Sequence, residues 1–357
     1  MNKSLARSAD LRLSPLAGMA ILGAVIICGL FYVKWLPYYH RAFVAFANHS
    51  IGNSILMGSA ATAPPPSIKA AFDYAIAYGR AIWQAMILGL LVGSALQEFA
   101  PRAWISRALG RSGLRSVVAG GLLALPGMMC TCCAAPVVIG LRRQGACAPA
   151  AVAFWLGNTV LNPATLVFMG FVLGWKWTGL RLALGVVLVL ACGYLVGRLA
   201  GPEQTGMLSA QLGGSVDGLD STTSSIKGWM ARFARLALGL IPEYLILVLI
   251  LGATRAWLFP HIGPSVGNEL YWIILMSGVG LLSVIPTAGE VPIVQAMLAL
   301  GIGVGPAAAL MMTLAPVSLP SLAMTAKAFS PRTLGLVALA VLAAGIVAGL
   351  LAVALKF

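Results

Sequence analysis

Pro126-Gly127-Met128-Met129-Cys130-Thr131-Cys132-Cys133-Ala134-Ala135-Pro136 sets three thiols and two prolines inside an otherwise apolar stretch. Proline removes a backbone donor and clashes with the carbonyl four residues back. The segment therefore reads as a helix broken at membrane depth and carrying soft ligands.

Its surroundings support that depth. Hydrophobic residues make up 60% of the chain and charged residues 9%, whereas a soluble domain has about half and about a quarter. Apolar runs near the roughly 20 residues needed to cross a bilayer recur at 16–36, 82–99, 178–196, 236–259 and 334–355. The fold class expected is an all-α polytopic membrane protein.

The first run follows Lys3, Arg7 and Arg12 but is too long for a signal-peptide core and lacks a nearby A-x-A site, so it reads as an uncleaved span with its N-terminus inside. The net charge of +14 reads as positive loops fixing topology, with no nucleic-acid partner. Alternating loops place Lys3, Arg7, Arg12, Arg102, Arg107, Arg111, Arg115, Arg142, Arg143, Arg198, Lys227, Arg232, Arg235, Lys327 and Arg332 inside, and the eight other basic residues outside. Cys28, Cys147 and Cys192 read as isolated small hydrophobes, and His40, His49 and His261 as outside surface residues.

Aligning Pro136 on Pro292 also superposes Thr131 on Thr287, Val138 on Val294, Gly145 on Gly301, Ala151 on Ala307 and Ala153 on Ala309. The chain thus reads as two repeated units, 80–199 and 236–357, after an N-terminal span and external loop (1–79) and joined by a flexible inside linker (200–235). The loop tally starts the units on opposite sides, which predicts an inverted-topology repeat with broken helices or re-entrant hairpins around a midplane site. A parallel duplication is the alternative. Residues 40–78, with Pro64-Pro65-Pro66, read as a loop with an interfacial helix near 38–46 and no chemistry.

Four breaks are expected, at 126–136, 157–163, 285–292 and 315–320, marked by Pro126, Gly127, Pro136, Pro163, Pro286, Gly289, Pro292, Pro316 and Pro320. Each leaves backbone groups that need a protein partner or a watery cavity. Cys130, Cys132 and Cys133 suit a soft metal or thiol-reactive metalloid such as a trivalent arsenical, but without histidine they do not build a closed zinc site. Cys130 and Cys133 also have the C-x-x-C spacing of thiol–disulfide exchange. Asn158, Thr159 and Asn162 either cap half-helices or line the pathway, together with Thr287 of the second unit. Glu290 costs roughly 2.5 to 3.5 kcal/mol at the bilayer centre, so it reads as a proton-coupling carboxylate, the balance for a cationic substrate, or a half-helix cap. Glu98 and Glu243 read as interfacial.

The stretch from Cys130 to Gly145, followed by Ala153-Phe154-Trp155-Leu156-Gly157-Asn158 and Leu161-Asn162-Pro163, resembles the predicted-permease family that includes the ArsP organoarsenical efflux permeases. The likeness continues through Pro292, Gly301 and Leu319-Pro320-Ser321-Leu322. It implies a multi-pass permease of the bacterial inner membrane, with Cys130 and Cys132 at the paired-thiol positions and export of trivalent organoarsenicals, a form of arsenic resistance. The third thiol and Glu290 depart from the pattern and leave room for another soft substrate. No Walker-type sequence and no cofactor are expected, and a homo-oligomer is compatible. The alternatives are a membrane thiol–disulfide oxidoreductase, or a membrane subunit of a larger permease complex.

Overall fold

The computed structural model describes residues 12–52, 67–199, 224–258 and 266–357. Lys3, Arg7, His261, the proline-rich part of the expected external loop and most of the expected linker lie outside them.

Helix starts follow local chemistry. Ser14 accepts from the Ala17 amide ahead of Pro15, opening α1 (Pro15–Leu30), and a π-turn (Phe31–Trp35) joins it to α2 (Leu36–Asn48). Ser67 caps α3 (Ile68–Phe99) in the same way. The short α4 (Arg102–Leu109) buries Ile105 and Leu109 while exposing Trp104. There follow α5 (Leu114–Ala124) with a tight turn (Leu125–Gly127), α6 (Thr131–Arg143), α7 (Ala148–Val160), α8 (Pro163–Val172) and α9 (Trp175–Leu199).

The second half runs α10 (Ile226–Leu258), α11 (Leu270–Leu282), α12 (Glu290–Ala299), α13 (Val304–Leu314), α14 (Leu319–Thr325) and α15 (Pro331–Ala354). Among the described residues, seven helical segments are long and apolar enough to cross a membrane. Among the described residues the only extended pairing is Arg12–Leu13 antiparallel to Ser224–Ser225. The chain is an all-helical membrane protein.

Packing places the breaks at the centre. In the first half α5 lies on α7 and α7 on α9; in the second, α11 lies on α13 and α13 on α15. The halves meet along α3 with α10, α9 with α15, α6 with α14 and α8 with α12. At 1.5 Å per residue, the 13 residues of α6 or α7 span about 20 Å, short of a bilayer's roughly 30 Å. The turns after α6 and α12 each use a left-handed glycine, Gly145 at φ 95° and Gly301 at φ 78°, a conformation costly for other residues.

Three expectations are corrected. The helix through α1 and α2 continues to Asn48 and α3 restarts at Ile68, so residues 40–48 and 68–78 are helical. Tyr74 and Tyr78 of α3 are buried, and their hydroxyls reach backbone carbonyls of the second half. Helix α10 begins at Ile226, inside the expected linker. Pro136 does not break the chain: it sits within α6. A mid-helix proline costs about 3 kcal/mol, and backbone-close packing supplies the compensation, because a Cβ on Gly89 of α3 would lie 2.1 Å from the Cys133 carbonyl oxygen and one on Gly93 would lie 2.3 Å from that of Pro136. Pro292 is in the first turn of α12, where a missing N–H has no partner to lose.

Of the eight cations that the loop tally places outside, Lys34 and Arg181 are buried in the fold. Glu98 and Glu243 pair with Arg232 (2.6 Å) and Lys327 (2.8 Å), partly exposed, as their boundary positions suggest.

Candidate functional site

The described structure interrupts its helices at residues 128–130, 161–162, 283–289 and 315–318, matching the four regions marked by proline and glycine. Two of the breaks turn through a left-handed residue other than glycine, Met128 at φ 46° and Ala288 at φ 65°. Such residues store strain and cluster where function needs an unusual backbone.

All four breaks face one small central cavity of about 10 Å³, lined by Met129 and Cys130, by Thr159, Asn162 and Thr165, by residues 285–288 with Glu290, and by Ala315. That volume is about one water. Cys130 and residues 285–288 also line a larger cavity of about 290 Å³ beside α3 and the π-turn, so they form the wall between the two.

The three thiols do not converge. Cys130 and Cys133 lie 3.0 Å apart, sulfur to sulfur, because positions three apart share a helix face. Cys132, two positions on, turns instead toward Ser318 of the fourth break, 3.9 Å away, with Thr131 3.4 Å from the same hydroxyl. The first and fourth breaks therefore touch through Thr131, Cys132 and Ser318. Trp155 holds the start of α6 by donating to the Thr131 carbonyl. All three cysteines are buried and free, and no cluster of three metal-ligating side chains occurs among the described residues.

The amides divide between capping and lining. Asn158 accepts from the Met129 amide (3.4 Å) and donates to the Phe154 carbonyl (3.2 Å), so it braces the first break. Asn162 accepts from Ala164 and Thr165 as the cap of α8, while its amide nitrogen is buried with no acceptor among the described residues. A buried donor left unpaired costs roughly 1–3 kcal/mol. Thr159 donates to the Leu156 carbonyl and lines the small cavity.

Glu290 is not a lone carboxylate. Arg181 of α9 meets it at 2.8 Å, with both side chains almost wholly buried. The same guanidinium donates to the carbonyls of Val160 (3.2 Å), Thr159 (3.0 Å) and Met311 (3.5 Å). One arginine thus ties the second break, the end of α13 and the start of α12. Its charge answers that of Glu290.

Thr287 accepts from Lys34 at 3.5 Å. Tyr74 and Tyr78 of α3 donate to the Val284 and Ile285 carbonyls at 2.6 and 3.3 Å, which satisfies the unpaired backbone of the third break. Trp35 donates to the Pro126 carbonyl. Lys34, Tyr74, Tyr78, Arg181 and Ser318 are the site residues that sequence reasoning missed. The signal for two of them was present, because Lys34 and Arg181 interrupt apolar runs by the same criterion that singled out Glu290.

A family model described as a predicted permease, ArsP, matches residues 67–353. The chain belongs to this predicted-permease family. Among curated relatives it is 47% identical to the UPF0718 protein YraQ of Escherichia coli strain K12 over 333 residues, covering 93% of this chain and 94% of that protein. It is 33% identical to the UPF0718 protein MJ0584 of Methanocaldococcus jannaschii over 132 residues, 35% of this chain and 36% of that one. No solved structure matches. The permease is thus an integral membrane protein of a transporter family, and the helix bearing Lys34 lies ahead of the stretch that the family model matches.

Proposed function

We propose that this permease is a secondary transporter of the bacterial inner membrane that exports a thiol-reactive substrate, of which trivalent organoarsenicals are the leading class, through the point where its four helix breaks meet. The single observation that carries this reading is the small cavity lined by all four breaks. Helix interruptions at membrane depth are tolerated where they line such a pathway. Cys130 and Cys133 would hold the soft atom of the substrate, Cys132 and Thr287 would flank it, and the open donor of Asn162 would meet a polar group. Glu290 would couple a proton, because its protonation would weaken the hold of Arg181 and let the halves part.

The units 80–199 and 236–357 are proposed to be related by an inverted repeat, with the N-terminus cytoplasmic. The reading is supported by the matching helix order and by exchanged contacts, α6 with α14 and α8 with α12. Labelling Arg143→Cys and Leu300→Cys from each side of the membrane tests it, and reaction of both from one side refutes it.

Accumulation of methylarsenite in everted vesicles, against arsenite and Cu(I), tests the transport reading. Uptake that needs a proton gradient is expected for methylarsenite. Absence of uptake of all three removes the soft-substrate argument.

One observation favours a second reading, the 3.0 Å approach of Cys130 and Cys133, a geometry suited to reversible disulfide exchange. A thiol–disulfide oxidoreductase would cycle that pair with a quinone or protein partner and would not need the gradient.

A further inference from the structure

The larger cavity has a charge that the transport reading leaves unused. Lys34, Tyr38 and Arg41 lie three to four residues apart along one face of the first helix and line it together with Gln84, Thr287 and Cys130. Lys34 is only 4% exposed. It sits in the π-turn, a distortion frequent at functional sites, that joins α1 to α2. Its ammonium reaches the Tyr38 hydroxyl at 3.2 Å and Thr287 at 3.5 Å, and among the described residues no carboxylate lines the cavity.

Charge balance elsewhere in the protein sharpens the contrast. Among the described residues the buried Glu290 already has Arg181, and the partly exposed Glu98 and Glu243 have Arg232 and Lys327. Asp73 and Glu269 are exposed. A buried ammonium is costly without an opposite charge, and Arg41 adds a second positive charge along the same wall. Hydroxyl, amide and cationic donors facing one hollow, with a thiol at its inner wall, form a receptor for an anion.

We infer that this cavity is an anion-binding vestibule and that it favours, within the thiol-reactive class proposed above, a substrate bearing a negatively charged group that Lys34 holds while its soft part faces Cys130, so that an acid-bearing trivalent arsenical is preferred to neutral methylarsenite. The inference deepens the permease reading by naming the charge of the substrate. It concerns a standing property of the cavity and so can be tested without transport.

The test is formation of a mixed disulfide at Cys130, with methanesulfinate leaving, in the purified full-length protein carrying Cys132→Ser and Cys133→Ser so that no neighbouring thiol displaces the label, read by mass spectrometry of its peptide. The reagents are two methanethiosulfonates of similar size, one bearing a sulfonate and one a trimethylammonium, each normalised to the uncharged methyl reagent. The expected result is a faster reaction with the anionic reagent. Lys34→Met is expected to lower the anionic-to-cationic ratio about tenfold or more, as removal of one nearby charge at an effective dielectric near 20 implies, and Lys34→Arg to restore it. If Lys34→Met does not fold, Arg41→Gln is expected to lower the ratio in the same direction by a smaller factor.

A ratio near one with Lys34 in place, or one favouring the cationic reagent, overturns the inference, because a Cys130 thiolate would then be the counter-ion of Lys34. So does labelling by neither charged reagent while the methyl reagent reacts. A vestibule confirmed alongside absent transport would refute the export reading alone.

Discussion

Glu290→Gln is the most informative single change. At 2.8 Å the Arg181–Glu290 attraction is about 6 kcal/mol at an effective dielectric near 20. Much of that offsets the desolvation of two buried charges, so the pair's net contribution is small. Removing one member is different: it strands the other charge, at about 3–5 kcal/mol. Arg181 keeps three carbonyl acceptors, on Val160, Thr159 and Met311, so the low end, about 3 kcal/mol, is expected. Arg181→Met should cost a similar amount, because it leaves Glu290 uncompensated. The double variant should recover most of the loss and give a coupling energy of at least about 2 kcal/mol. Unfolding free energies in mixed micelles supply all four corners of the cycle. Additive single losses, or a Glu290→Gln cost below about 1 kcal/mol, would refute the reasoning that this pair holds the breaks together. In vesicles the same variant should abolish dependence on the proton gradient if Glu290 is the coupling group.

Gly89→Ala should destabilise the protein by about 2–3 kcal/mol and alter the reactivity of Cys133, because the added Cβ meets the Cys133 carbonyl oxygen at 2.1 Å; an unchanged melting temperature would count against the close crossing. Ala288→Gly should stabilise by about 1 kcal/mol, since it relieves a left-handed alanine at φ 65°, and a drop in thermal stability would contradict that strain. Cys130→Ser combined with Cys133→Ser should eliminate transport of thiol-reactive substrates, and intact transport would reduce both cysteines to packing.

Local backbone chemistry was readable from the sequence wherever it acts alone. Pro126 with Gly127, Pro163 after Asn162, Pro286 with Gly289, and Pro316 all interrupt helices, as a missing donor or an absent Cβ requires. Pro136 misled because its cost is local while its compensation comes from Gly89 and Gly93, which lie on a different helix. The thiols and Glu290 stood out in the sequence, but their partners did not. Hydropathy counts a cation as a loop marker, and only packing shows that Arg181 is buried against Glu290 and Lys34 against a cavity. The reach of α2 was hidden by polar residues such as His40 and Arg41 on a helix whose Tyr39, Phe43 and Phe46 face outward.

The glycine crossing between α3 and α6 also constrains the kinematics of any transport cycle. Backbones that meet without intervening Cβ atoms have no side-chain layer to slide on, so α3 and α6 must travel as one lever, with Cys130 and Cys133 aboard. Through Tyr74 and Tyr78 that lever also grips the carbonyls of residues 284 and 285. The remaining freedom lies across the cavity, where α9 is pinned to the start of α12 by a single ion pair. A conformational stroke would then need one electrostatic bolt to be drawn while the thiol-bearing side keeps its shape.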